Sequence, residues 1–191
     1  MQTLLYPDFL ENDATTVARR LLGCELLREI DGAMVRVRIV ETESYDQTDA
    51  ASHSFKGKTP RTETMFGPSG YLYVYFTYGM HYCCNVVTGA PGEGSAVLIR
   101  AVEPIEGVPV LEKRRGKSGR ELSNGPAKLC QALAIGRSLN GHDLRRAPLQ
   151  LSVGKEYSDD EVTQTKRVGI SVAKDELRRF YISHNPYVSR A

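Results

Sequence analysis

The fold is set by the stretch Gly70-Tyr-Leu-Tyr-Val-Tyr-Phe-Thr-Tyr-Gly-Met-His-Tyr-Cys-Cys-Asn-Val-Val87, which holds five of the chain's ten tyrosines. Up to Phe76 aromatic and aliphatic residues alternate, so the odd-numbered tyrosines share one strand face. Tyr78-Gly79 provides a turn and an apolar run follows it, an order that predicts a β-hairpin. The tyrosines fit two roles equally well: half-buried strand residues, or a surface that stacks on flat rings.

A second hairpin is predicted around Asp31-Gly32, because Asp-Gly between two strand-like runs is a strong turn signal. The apolar odd positions of its second strand are Val35, Val37 and Ile39. The same period of two next presents Glu41, Glu43 and Tyr45 on the core-facing side. Burying an unpaired carboxylate is costly, so the strand enters a cleft, pairs its acids or ends in solvent. Two acids followed by a tyrosine favour a site.

Arg100 interrupts the apolar run 96–102, and an arginine in such a strand needs an anion or a carboxylate nearby. Further along, Ser123-Asn-Gly-Pro126 begins a predicted helix. Gly125 and Lys128 at its N-terminus form a candidate phosphate site. Five cations precede it: Lys113, Arg114, Arg115, Lys117 and Arg120. Alone, this basic run is typical of a solvated loop, and with the helix start it could hold a nucleic-acid backbone.

Composition allows one globular domain, residues 1–191, with a net charge of +2 and 41% hydrophobic residues. A mild net charge permits nucleic-acid binding only through a local patch. Four cysteines without a CxxC pair favour reduced thiols, and no secretory signal or membrane-spanning run is present. We therefore expect a cytoplasmic protein of the bacterial nucleoid, or a nuclear one, and not a secreted one. Strands expected near 149–153, 168–172 and 180–182 complete an α+β domain, but no role is assigned to this C-terminal third.

Eight ordered fragments together resemble the alkyladenine (3-methyladenine) DNA glycosylase family, from about residue 10 to the closing Tyr187-Val-Ser-Arg190. The fragments are Ile39-Val-Glu-Thr-Glu-Ser-Tyr45, Ala51-Ser-His-Ser54, Thr59-Pro-Arg61, Leu72-Tyr-Val-Tyr75, Tyr78-Gly-Met80, Asn85, Val97-Leu-Ile-Arg-Ala-Val-Glu-Pro104 and Asn124-Gly-Pro-Ala-Lys-Leu129. Each fragment is weak alone, whereas the ordered set is highly specific.

The resemblance implies a single α+β domain with a mostly antiparallel curved sheet, surrounding helices and a protruding hairpin that inserts into DNA. Such a monomeric enzyme flips alkylated purines, including 3-methyladenine and 7-methylguanine, out of double-stranded DNA and hydrolyses the N-glycosidic bond. Hypoxanthine and ethenoadenine stay open as substrates. No cofactor, metal or membrane is implied.

The resemblance also assigns roles to individual residues. The catalytic residues would be Glu43, which activates water, and Arg100 beside it. The flipped base would contact Tyr45, His53, Tyr75 and Asn85. The rest of the DNA would contact Tyr78, Met80, His81, Gly125 and Lys128. His81 departs from the family, which also has aromatic residues at this position.

Three other functions compete with this reading. Two acids near aromatic residues also suit a glycoside hydrolase, although Glu41 and Glu43 are too close in sequence to straddle a sugar. A non-catalytic single-strand binder would use the tyrosines for stacking but leave the inward glutamates without a role. A lyase-type glycosylase would use Lys128 as an amine nucleophile.

Overall fold

The computed structural model describes residues 4–189, so residues 1–3 and 190–191, with Arg190 of the closing motif, lie outside the described part. Within residues 4–189 the chain forms three α-helices and one nine-stranded sheet. The helices are α1 (Ala14–Arg20), α2 (Val108–Arg115) and α3 (Pro126–Ala132). The strands are β1 (Glu25–Ile30), β2 (Ala33–Tyr45), β3 (Tyr71–Thr77), β4 (His81–Val87), β5 (Ala96–Glu106), β6 (His142–Asp143), β7 (Leu149–Ser152), β8 (Val162–Thr165) and β9 (Arg179–Ile182).

All strand pairs in the described part are antiparallel, and the main path runs β6-β3-β4-β5-β2-β1-β7. The long strand β2 also changes partners along its length. Its first part pairs with β1, and at Glu41–Glu43 the strand β9 takes that place while β5 stays on the other side. This branch surrounds the two glutamates with strands. The predicted α+β class with a curved, mostly antiparallel sheet is confirmed.

Both predicted hairpins are confirmed, and the backbone conformation of each turn explains which residues occupy it. Asp31 and Gly32 join β1 to β2 with φ values of 50° and 77°. Tyr78 and Gly79 lie between β3 and β4 with φ values of 51° and 67°. Positive φ at both central residues matches the right-handed twist of the flanking strands. A non-glycine residue in this region is uncommon, so the tip residue Tyr78 is held in an unfavourable backbone conformation.

The helices cover one face of the sheet and leave the other face for a cavity. Asp13 starts α1 by accepting hydrogen bonds from the N–H groups of Thr15 and Thr16. The helices α1 and α3 pack on β2, β4 and β5, where the main apolar core lies. On strand β3, Leu72 and Val74 belong to this core, as the alternation predicted. The tyrosines of β3 form a smaller cluster with Met65 on the other face.

One expected strand is absent: residues 168–172 form no strand. Gly169, the second residue of this range, has a φ of 79°, a conformation that breaks an extended run. The strand β8, which pairs with β9, was not predicted. None of the helices within residues 4–189 has the length and apolar character needed to cross a membrane.

Candidate active site

A cavity of about 470 Å³ opens on the sheet face opposite the helices. Its floor comes from β2, β4 and β5, its aromatic side from β3 and the short helical turn that begins at His53, and its remaining wall from residues 168–172. Seven of the predicted site residues line it together: Glu43, Tyr45, His53, Tyr75, Tyr78, Asn85 and Arg100. These residues, predicted from separate stretches of the sequence, thus meet at one cavity.

The two glutamates are fully buried and paired, one of the alternatives that the sequence left open, but they do not continue the core face of β2. Ile39 pairs with Val102 and Glu41 pairs with Ala101, so Val40 is the extra residue of a β-bulge. The bulge shifts the period of two by one residue. Thr42 now donates to the carbonyl of Ala18 in α1, on the core side. Glu41 and Glu43 consequently point to the opposite face, and the prediction of one continuous inward face is wrong.

Glu43 is held by three donors from three different segments. The Arg100 Nη1 lies 3.2 Å from Glu43 Oε1, and the backbone N–H of Val168 donates to the same oxygen at 2.8 Å. The Tyr45 hydroxyl donates to Glu43 Oε2 at 2.8 Å. Charge-assisted hydrogen bonds of this kind stabilise the ionised carboxylate. A buried, oriented carboxylate at the floor of a cavity has the chemistry of a general base.

Burial and charge also act on the partners of Glu43. Burial raises the pKa of the Tyr45 hydroxyl, and the negative charge of Glu43 raises it further, so Tyr45 stays a donor. For Arg100, burial lowers the pKa, but Glu43 and Glu41 outweigh burial and the net shift is upward. Arg100 is therefore a permanent cation at the cavity floor. Its carboxylate partners confirm the expectation from its place in an apolar strand.

Glu41 does not line the cavity within the described residues, and it binds a second set of donors. Its Oε1 accepts from Arg100 Nε at 2.9 Å and from Arg179 Nε at 2.8 Å. Ser189 donates to it twice, from Oγ to Oε1 at 2.9 Å and from N–H to Oε2 at 2.7 Å. Arg100 thus bridges the two carboxylates, Glu43 in the cavity lining and Glu41 behind it.

The aromatic side of the cavity is a packed group of three rings. The rings of Tyr73 and Tyr75 stack with centroids 5.7 Å apart, and His53 meets Tyr75 edge-on at 4.6 Å. Partial burial and the nearby charge of Arg61 lower the pKa of His53 to about 4, so its imidazole is neutral at pH 7. Its Nδ1 shares a 3.0 Å hydrogen bond with the Tyr73 hydroxyl. A flat ring inserted here would meet an electron-rich surface.

Asn85 and the hairpin tip frame two further sides. The Asn85 amide is buried, donates to the carbonyl of Tyr73 at 3.2 Å and lines the cavity. Tyr78 lies at the cavity edge with 83% of its surface exposed, and Met80 is 70% exposed. His81 is exposed at the start of β4. An exposed apolar tip beside a cavity needs a partner surface to cover it.

Gly125 and Lys128 lie at the start of α3, next to Pro126, which lines the cavity. Pro126 takes the first helical position, as the sequence predicted. The Lys128 ammonium donates to Asn124 Oδ1 at 2.7 Å. The helix has only seven residues, so the basis for a phosphate site here is the lysine and the loop more than a helix dipole. A DNA contact at these two residues stays a prediction.

The C-terminal third supplies site residues that the sequence analysis missed. Val168 donates to Glu43, and the segment 168–172 forms a wall of the cavity. Arg167 anchors that wall through a buried ion pair with Asp49. Arg179 and Ser189 bind Glu41. The sequence signal was weak: Arg167 and Arg179 each follow a basic residue and precede a partly apolar run, a pattern that does not show which distant acid is the partner.

Comparison with known proteins gives a consistent result over almost the whole chain. The family model described as methylpurine-DNA glycosylase matches residues 8–186. A protein of Carboxydothermus hydrogenoformans is 51% identical, over 98% of this chain and 99% of its own length. Proteins of Methanoculleus marisnigri and Desulfitobacterium hafniense are each 47% identical over 95% of this chain and 96% of their own. All three carry the provisional name 3-methyladenine DNA glycosylase.

Proposed function

The chain belongs to the methylpurine-DNA glycosylase family, and we propose that it excises alkylated purines from duplex DNA with a water molecule activated by Glu43. The observation that carries the proposal is the position of this carboxylate. Glu43 is buried at the floor of an aromatic cavity and receives donors from Tyr45, Arg100 and Val168.

The proposed reaction is hydrolysis of the N-glycosidic bond. A base inside a duplex is out of reach, so it is first flipped into the cavity at a cost of a few kcal/mol, roughly. Water attacks C1′ of the sugar, its proton passes to Glu43, and the bonding electrons leave with the base nitrogen. Because an alkylated purine such as 3-methyladenine is cationic, it leaves as a neutral base and needs no added proton. The carboxylate also faces the positive charge that grows on the sugar.

The cavity supports recognition of such a base. Tyr75 and His53 offer ring surfaces for stacking, and a cationic purine interacts favourably with electron-rich rings. Neutral His53 adds no repulsive charge. Asn85 presents an amide where the edge of the base arrives, and Tyr45 closes the site next to the carboxylate. The preferred substrates are 3-methyladenine and 7-methylguanine; hypoxanthine and ethenoadenine would lack the positive charge and leave less easily.

Flipping leaves a gap in the base stack, and the hairpin tip is placed to fill it. Tyr78 is almost fully exposed, and Met80 and His81 extend the same tip. We assign Tyr78 to the gap, Met80 and His81 to the minor groove beside it, and Gly125 with Lys128 to the phosphates. The enzyme acts as a monomer on double-stranded DNA.

The competing functions fit the geometry less well. A sugar hydrolase needs two carboxylates on either side of a bond, whereas Glu41 is tied to Arg179 and Ser189 away from the cavity. A lyase needs a free amine, whereas the Lys128 ammonium is bound to Asn124. A non-catalytic binder would leave the donors around Glu43 without a purpose.

The test is the Glu43→Gln variant on an oligonucleotide with one alkylated purine. A general base contributes about 10²–10⁴-fold, so release of the free base should fall by that factor while lesion binding is kept. Free base and intact abasic strand should be scored separately from nicked strand. An excision rate close to wild type in the folded variant would refute the role of Glu43.

A further inference from the structure

Glu41 is a buried charged group that the proposed reaction does not use, and it connects the cavity to the last described residue of the chain. It lies two residues before Glu43 on β2 and is completely buried. A buried carboxylate left without partners would cost several kcal/mol, roughly, so its donors are expected to matter. Those donors are Arg100, Arg179 and Ser189.

Arg100 is held by all three of its guanidinium nitrogens. Its Nε binds Glu41 at 2.9 Å, its Nη1 lies 3.2 Å from Glu43, and its Nη2 donates to Ser189 Oγ at 3.3 Å. The contacts of Nε with Glu41 and of Nη2 with Ser189 fix the plane of the guanidinium, and the contact of Nη1 with Glu43 faces the cavity. The orientation of Arg100 towards Glu43 is therefore set from the side away from the cavity.

We propose that Glu41 and Ser189 form a positioning unit that holds Arg100 against Glu43. The inference rests on the function proposed above, because it deepens the account of the same site. Both residues act through Arg100 and do not touch the substrate. A hydroxyl and a carboxylate on the far side of an arginine thus decide how accurately the cavity carboxylate is held.

Ser189 gives the sharper test, since it is the uncharged member of the unit. Ser189→Ala removes the Oγ contacts with Glu41 and Arg100 and leaves the backbone bond to Glu41 Oε2 intact. No charge is lost, so the buried ion pairs keep their balance. Ser183 offers a matched control, because it lies near Ser189 in sequence and its half-buried hydroxyl bonds to Thr163 Oγ1 instead of to Glu41.

Three variants are compared with the wild type: Ser189→Ala, Ser189→Thr and Ser183→Ala. Single-turnover excision of 7-methylguanine and the Kd for lesion DNA are measured with each. Ser189→Ala should lower the single-turnover rate about tenfold, as expected when a charged group loses an orienting hydrogen bond. The Kd should change less than twofold, Ser189→Thr should recover most of the rate, and Ser183→Ala should equal the wild type.

Two results would overturn the positioning unit: Ser189→Ala as fast as Ser183→Ala, or a loss confined to Kd. Thermal melts show whether a variant has simply unfolded at the assay temperature. A rate loss that vanishes on cooling would also contradict the positioning unit. Glu41→Gln, assayed below its melting temperature, should lose more rate than Ser189→Ala, and an equal or smaller loss would contradict the unit. Failure of the proposed function is separate, because Glu43→Gln would then stay active whatever Ser189 does.

Discussion

The buried ion pair between Asp49 and Arg167 should decide whether the cavity wall stays in place. Both side chains are fully buried, with Arg167 Nη2 3.0 Å from Asp49 Oδ1 and Nη1 bound to Oδ2. Arg167 also donates to the carbonyl of Ser44 and lies over the ring of Tyr45 at 4.7 Å. Its neighbour Val168 donates to Glu43. The pair thus connects the turn after β2, the wall and the proposed general base.

Replacing Asp49 by Asn leaves the Arg167 charge buried without a counter-charge. Breaking one partner of a buried pair costs about 3–5 kcal/mol. Asn keeps an oxygen that can accept from Arg167, so the lower end, about 3 kcal/mol, is expected. For a chain of this size, each kcal/mol shifts Tm by roughly 2–4 °C, which gives a loss of roughly 6–12 °C. The excision rate should also fall, even at temperatures well below the new Tm, because Val168 loses its anchor.

Thermal melts and single-turnover excision at low temperature measure the two effects. Asp159→Asn is a matched control, since that carboxylate pairs with Arg19 in full contact with solvent and its loss should leave Tm unchanged. Adding Arg167→Gln to Asp49→Asn removes the unpaired charge and should restore part of the Tm. A Tm loss below about 2 °C for Asp49→Asn, or one equal to that of the control, would refute the reasoning.

Three other predictions follow from the site. Tyr78→Ala should weaken binding to a duplex lesion by roughly tenfold or more, from about 1–3 kcal/mol of stacking. Its Tm should not change, since the side chain is exposed, and an equal loss on single-stranded DNA would contradict insertion. His53 should titrate near pH 4 by NMR, below the unfolded value of about 6.5. The contribution of neutral His53 to folding stability is then complete above about pH 6.5 and is lost as the pH falls towards 4. An NMR titration midpoint near pH 6.5 in the folded protein would contradict this expectation. EDTA should leave excision intact, because no three His, Cys, Asp or Glu side chains in residues 4–189 are grouped to bind a metal. Loss of excision in EDTA, with recovery when metal is added, would contradict this expectation. A borohydride-trapped adduct on Lys128 would support the lyase instead.

Local patterns predicted the two hairpins because each turn depends on neighbouring residues. Asp31-Gly32 and Tyr78-Gly79 combine turn residues with flanking strands, and the structure confirms both turns. Arg100 in an apolar strand was expected to need a carboxylate, and it has two. For the two turns, the signal and its structural cause lie within a few residues of each other, whereas Glu41 lies 59 residues before Arg100, so the sequence indicated the need for an acid but not which acid meets it.

The bulge at Val40 and the wall at 168–172 could not be predicted in the same way. A single extra residue in β2 depends on its register against β5, which is a property of two strands far apart in sequence. The wall has strand-like apolar residues, but the pairing of Arg167 with Asp49 across more than 100 residues holds it as a loop. Period-based reasoning therefore found the glutamates but put them on the wrong face.

The charge balance of the site explains why this missed region matters for the proposed chemistry. Arg100 is shared by two carboxylates, so alone it would leave one negative charge only partly compensated. Arg179 from β9 supplies a second cation to Glu41. Because Arg179 compensates the charge of Glu41, Arg100 can compensate the charge of Glu43, and the N–H of Val168 adds a further donor to Glu43. The described part of the C-terminal third thus supplies groups that hold both buried carboxylates, the N–H of Val168 for Glu43 and the guanidinium of Arg179 for Glu41.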